Sequence, residues 1–287
     1  MKALIARTVF AGIFALTGCA TQYASISSGH SRQTTDASNS QLAGQGETLL
    51  DRAIYQQSLR ALGVDPKSHQ AAILRAWKKR LGDDPELKAA FPLGLPTAPT
   101  PAGKLLFAEG MARVTPATRA AFWSLYTKVT LAHLPDDCYG IRNRAEIAHR
   151  VMSFPNMSDS DTEEYMRILW AVLHAGVRHD PEHVPTEAEH QAAVVALSKV
   201  LSADMLTATN ANRFARVMVS PATASIKDFC WAMKTSTEAL NQLDPADKEA
   251  LLSQSLDQAA LNALRTVQPT IAPPPTPSTA PSAFKTL

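Results

Sequence analysis

The stretch TPATRAAFWSLYTKV, residues 115–129, decides the fold class. Thr115 offers a side-chain acceptor to the free N–H groups of a first helical turn. Pro116 follows, at a position where a missing N–H costs nothing. Beyond them Phe122, Leu125, Tyr126 and Val129 recur at spacings of three and four, which puts them on one face of a helix and rules out the alternation of a strand.

The same punctuation recurs in both directions. Asp65-Pro66, Asp84-Pro85, Thr100-Pro101, Ser220-Pro221 and Asp244-Pro245 each pair a capping residue with a proline, and each predicts a helix start. Ser160 with Glu163 and Thr186 with Glu189 read as capping boxes. Gly63 and Gly82 fall where helix ends favour a left-handed residue. Apolar faces follow: Ile73, Leu74, Trp77 and Leu81 in 66–81; Tyr165, Ile168, Leu169, Val172 and Leu173 further on; Ala193, Val194, Leu197 and Val200 or Leu201 after Thr186. Later helices are expected over 207–219, 221–242 and 245–265. No segment alternates with period two between hairpin turns, and no repeat of fixed period appears. The reading is an all-α domain of about nine or ten helices over 47–266, either one compact body or two helical subdomains that part near the proline-rich stretch 92–101.

The N-terminus reads differently. Lys2 and Arg7 precede an apolar run from Thr8 to Leu16, interrupted only by Gly12 and too short for the roughly 20 residues of a membrane-spanning helix. It closes on Leu16-Thr17-Gly18-Cys19. In these residues the chain resembles the bacterial lipoprotein class, whose export signal ends in a small apolar tetrapeptide with a final cysteine. The resemblance covers the signal alone. It implies cleavage before Cys19, a diacylglyceryl thioether on its sulfur and an acyl group (palmitate class) on the new amino terminus. It implies a membrane partner reached through those chains, several of which hold firmly where one binds reversibly. Ala20 follows, in place of the aspartate that retains such proteins at the inner membrane, so the outer membrane facing the periplasm is the expected location. Residues 19–46 are rich in Ser, Gly, Gln and Thr and form a flexible tether with a reach of roughly 30 Å. Residues 267–287, with Pro269, Pro273 to Pro275, Pro277 and Pro281, form a second non-globular segment.

Twenty-eight basic residues stand against 26 acidic ones; removal of Lys2 and Arg7 with the signal leaves 26 against 26. A mature charge near zero argues against a nucleic-acid partner, which needs a concentrated basic surface. Three cysteines are present. With Cys19 lipidated, Cys138 and Cys230 form an even pair in an oxidising compartment, either bridged or lying as two buried thiols, and the bridge is the reading that the compartment favours.

Chemistry-bearing residues are few. His174, His179, His183 and His190, with Asp180, Glu182 and Glu189, suit zinc by type, but Pro181 and Pro185 break the helix that would align them; no metal is expected. Asp136, Asp137 and Cys138 are read as opening a helix, and with His149 elsewhere a thiol nucleophile can be imagined. The neighbouring carboxylates oppose a thiolate. Asp159, Asp161, Glu163 and Glu164 could suggest paired carboxylates for glycoside hydrolysis, yet acids also favour a first helical turn. The Glu-Ser and Gly-Leu-Met-Gln motifs of lytic transglycosylases are missing, as are nucleotide and nucleophile-elbow signatures. Trp77, Trp123, Trp170 and Trp231 read as helix-packing residues.

The expectation is a non-enzymatic binding module without cofactor, held at the envelope and recognising another envelope or periplasmic protein. An immunity-type inhibitor of a periplasm-targeted effector is one form. A pilotin-like assembly accessory and a cell-wall hydrolase are the alternatives.

Overall fold

A computed structural model describes residues 49–92, 101–182, 184–204 and 207–253. The expectations for Cys19, the tether, His183, Thr100 and the tail 267–287 lie outside the described residues. Those residues are all-α and contain no strand. Ten bounded helices run in order: α1 Leu49–Ala61, α2 His69–Asp83, α3 Pro85–Ala90, α4 Pro101–Arg113, α5 Pro116–His133, α6 Arg144–Val151, α7 Asp159–Arg178, α8 Glu187–Asp204, α9 Ala208–Val219 and α10 Ile226–Gln242. An eleventh, α11, starts at 245 and continues to residue 253. The count exceeds the expected nine or ten by the short α3, which Asp84-Pro85 sets apart from α2.

Two helices act as hubs. α2, α3, α4 and α5 pack on α7, while α8 and α9 pack on α10; α5 meets both hubs. The 115–129 segment therefore joins the two halves of the molecule. Its expected face is buried in full: Phe122, Leu125, Tyr126 and Val129 are all interior. So are Tyr165, Ile168, Leu169, Val172 and Leu173 of α7, and Leu74, Trp77 and Leu81 of α2. Apolar residues before 93 and after 100 share one core cluster, so the described residues on the two sides of the proline-rich stretch pack as one body.

Thr115 accepts the Thr118 N–H at 3.3 Å, Asp84 accepts those of Glu86 and Leu87, and Asp244 those of Ala246 and Asp247. The Thr186–Glu189 box forms as read. Four readings need correction. Asp65-Pro66 makes a turn in which Asp65 accepts the Lys67 N–H, and Ser68 caps α2 instead. Ser220-Pro221 likewise forms a turn, and Ser225 caps α10. The box opening α7 is Ser158 with Asp161, not Ser160 with Glu163. Gly82 lies inside α2, whose last residue runs directly into the Asp84 cap; Gly63 is left-handed as expected, at φ +74°. In each displaced start a serine hydroxyl, of Ser68, Ser158 or Ser225, accepts a first-turn N–H.

The tightest junction is between α4 and α7. A Cβ on Gly110 would lie 2.2 Å from the Val172 carbonyl oxygen, and one on Gly176 3.2 Å from Leu106 Cδ1. Glycine at these points lets the two backbones touch. At the C-terminal end of α4, buried Arg119 donates to the Met111 and Ala112 carbonyls and pairs with Glu249 of α11.

Candidate functional site

The last turns of α7 carry His174 against the start of α3. Asp84 is fixed there because its Oδ1 caps α3; its Oδ2 lies 2.9 Å from His174 Nε2. Glu86, two residues along, reaches His174 Nδ1 at 2.9 Å and accepts from Arg178 Nε and Nη2 at 2.7 Å each. Both ring nitrogens are thus within hydrogen-bonding distance of a carboxylate oxygen. Burial pushes the Asp84 carboxyl up, but the Leu87 N–H, His174 and the Glu86 N–H outweigh it and hold it below its usual range. Arg178 does most to hold Glu86 low, against some desolvation, with His174 adding to it. The Trp170 ring lies 4.3 Å from that of His174, and Arg80 stacks on both Trp77 and Trp170 at 4.6 Å. With both nitrogens engaged and the side chain buried, His174 has no position left for a base or a ligand.

The other histidine-region residues disperse. His179 is the left-handed cap of α7, at φ +52°. The Asp180 carbonyl accepts from Arg113, whose other nitrogen pairs with Glu182 at 2.7 Å. Glu189 completes its capping box and His190 is buried. Among the described residues no group of three or more His, Cys, Asp or Glu is placed to hold a metal ion. The acids at the start of α7 are spread over local partners: Asp159 meets His69, Asp161 meets Lys128 and Ser158, and Glu164 meets Arg167. Glu163 is exposed.

Cys138 and Cys230 are joined in a disulfide, with Cα atoms 5.5 Å apart, and both are fully buried. The bond removes the thiol that a nucleophile would need. Cys138 does not open an α-helix as read: it starts a short 3-10 turn, Cys138–Gly140, in which φ is +48°, +58° and +72° in succession. Asp137 Oδ1 accepts the Tyr139 N–H and the Tyr139 hydroxyl donates to the His133 carbonyl. Alongside, Lys234 of α10 pairs with Asp136 at 2.8 Å.

Two surface features were not legible in the sequence. A groove of about 470 Å³ runs between α5, α9 and α10, with Leu131, Asn210 and Trp231 among its walls. Elsewhere Arg144, at the start of α6, lies with its guanidinium 5.8 Å from the Phe229 ring and 4.0 Å from Met218 Sδ. Burial pushes this guanidinium down to about 10, so it stays charged at neutral pH, and its contacts are the Phe229 ring and the Met218 sulfur. Neither feature has a local sequence signal, because each is assembled from helices far apart in the chain.

Comparison with known protein families, with characterised proteins and with solved structures finds no match.

Proposed function

We propose that this chain is a lipid-anchored binding module of the bacterial envelope, tethered through Cys19, that acts by holding another envelope or periplasmic protein. The observation that carries binding over catalysis is the closure of His174, one of two buried histidines among the described residues, whose two nitrogens are both given to carboxylates. The Cys138–Cys230 disulfide supports an oxidising compartment. The half-desolvated Arg144 supplies an anchor of the kind that protein interfaces favour, and a carboxylate brought by the partner would complete it. We read the partner as a toxic effector delivered into the periplasm, with the chain as its immunity-type inhibitor. A pilotin-like accessory of an envelope machine has the same physical requirements and is the second reading.

The test is affinity capture from detergent-solubilised envelope with the full chain and with Arg144→Ala. One identified, stoichiometric protein partner, lost with Arg144→Ala while helicity is unchanged, is expected. For the immunity form, the chain should also restore growth to cells receiving that partner in the periplasm. Failure to recover any partner, together with muramidase activity of the purified chain, would overturn the reading in favour of a cell-wall hydrolase.

A further inference from the structure

Residues 52–80, which span most of α1 and α2, hold seven Lys and Arg residues and a single acid, Asp65. The whole chain is close to charge balance, so the remaining residues are net acidic and offset this excess. Part of the positive charge is gathered at one point. From α2, Lys78 Nζ lies 4.5 Å from the centroid of the Tyr55 ring and the Arg75 guanidinium 5.9 Å from it. Arg52, exposed, stands three residues before Tyr55 on α1 and so beside it on the helix surface. Lys79, one turn after Arg75, is exposed as well.

The nearby acids are used locally. Asp65 accepts the Lys67 N–H in the turn between the helices, and Asp83 at the end of α2 pairs with Lys79 and Lys88. The Tyr55 ring attracts Arg75 and Lys78 through its negative face but neutralises neither. Cations held this close repel one another, and an anion brought from outside relieves the repulsion.

The place of this face in the chain says which anion it meets. Among the described residues α1 is the first element after Cys19, and Arg52 lies about one turn inside it. The reach of roughly 30 Å expected of residues 19–46 brings α1 to the headgroups of the bilayer that holds the lipid. Each cation strengthens contact with an anionic bilayer by only about fivefold, too little to hold a protein from free solution. A lipid anchor raises the effective concentration until so weak a contact is populated.

We infer that the α1–α2 face around Tyr55 docks on anionic phospholipid headgroups and so orients the domain on the membrane that its anchor enters. The inference rests on the anchored reading above and adds an orientation to it. The Arg144 contacts are made with α9 and α10, on the other hub, so docking through α1 and α2 leaves that surface for the protein partner.

The test places the acylated full chain on vesicles of phosphatidylcholine alone, or of phosphatidylcholine mixed three to one with phosphatidylglycerol. Pelleting with the neutral vesicles reads the anchor; amine-reactive labelling, resolved by peptide mass spectrometry, reads the face. Labelling of Lys78 and Lys79 should be about fivefold slower on the anionic vesicles. It should recover at high salt, where the screening length falls to a few ångström. Lys199, exposed on α8, should label alike on both. Arg52→Gln with Arg75→Gln, both at exposed positions, should keep the parent's helicity and melting temperature and lose the protection. Arg142→Gln with Lys227→Gln, exposed cations beside α10, should keep it.

Equal labelling of Lys78 and Lys79 on the two vesicles would overturn docking and leave the anchor standing, provided the chain pellets with neutral lipid. So would protection that survives salt or the first pair of substitutions, or that is lost with the second pair. Pelleting with anionic vesicles alone, with Lys78 and Lys79 protected, would support the face and reject the anchor. A chain that pellets with neither overturns both. Protection of these lysines by the captured protein partner and not by vesicles would give the face to that partner and overturn the inference.

Discussion

His174 shows how one residue is assigned by its surroundings. In the sequence it belongs to a run of histidines and acids; in the fold it leaves that run and joins Asp84 and Glu86, some ninety residues earlier. Replacing it with Phe leaves Oδ2 of the largely buried Asp84 without its donor and should destabilise the protein by about 1–3 kcal/mol in urea unfolding. The carboxyls of Asp84, Glu86, Asp136, Asp161 and Asp228 are all held below their ordinary values. A carboxyl depressed in the folded state contributes stability above its unfolded value and loses it as pH falls through the folded one. Stability should therefore be level near neutrality and fall progressively below about pH 5, as chemical unfolding at stepped pH would show. Asp247, raised by burial and by Asp244, acts in the opposite sense and softens the slope. Arg119 belongs at this scale too. Truncating it to Met strands Glu249, and a loss of about 3–5 kcal/mol is expected, partly restored when Glu249→Met is added. A double-mutant cycle in urea measures the difference.

At the level of elements, two contacts decide how the helices sit. Gly110→Ala sets a methyl group against the Val172 carbonyl oxygen, which no rotamer can relieve. Overpacking typically costs about 1–3 kcal/mol, and this backbone clash belongs at or above the upper end. The expected readout is a large fall in melting temperature with helicity largely kept. The disulfide is the second contact. It ties the loop after α5 to α10 across 92 residues, and by loop-closure entropy it stabilises the fold by up to about 4.6 kcal/mol. It also helps hold three successive left-handed residues, each of which costs an ordinary residue about 1–2 kcal/mol. A Cys138→Ser, Cys230→Ser pair should melt lower than the parent. Brief reductant should leave the native parent unchanged, since both sulfurs are buried, as non-reducing peptide mapping would report. These contacts were partly legible. Cysteine arithmetic found the bridge, but nothing local marked Gly110 or said which backbone it would meet.

At the scale of the whole molecule, α7 and α10 each gather a set of helices, and α5 couples them. A perturbation that loosens α5 should therefore unfold both halves together, giving one transition by both circular dichroism and tryptophan fluorescence. Among the described residues no helix is long and apolar enough to cross a membrane. Attachment in the proposed reading rests on the lipid, and mass spectrometry of the membrane fraction should find an acylated peptide beginning at Cys19. An unmodified protein in the soluble fraction would reject the anchor.

The sequence by itself determined the helical class and the buried faces of α2, α5 and α7, and favoured the cysteine bridge over two buried thiols, because periodicity, capping and residue arithmetic act over a few residues or a simple count. It misplaced the starts of α2, α7 and α10, where two capping residues lie within a few positions of each other and both fit the local rule: Asp65 and Ser68, Ser160 and Ser158, Ser220 and Ser225. The clasp on His174, the Arg119–Glu249 pair, the Gly110 crossing and the groove at Trp231 were decided by tertiary structure alone. Each depends on which helices meet, and that is settled by packing between faces that look equally apolar when read one at a time.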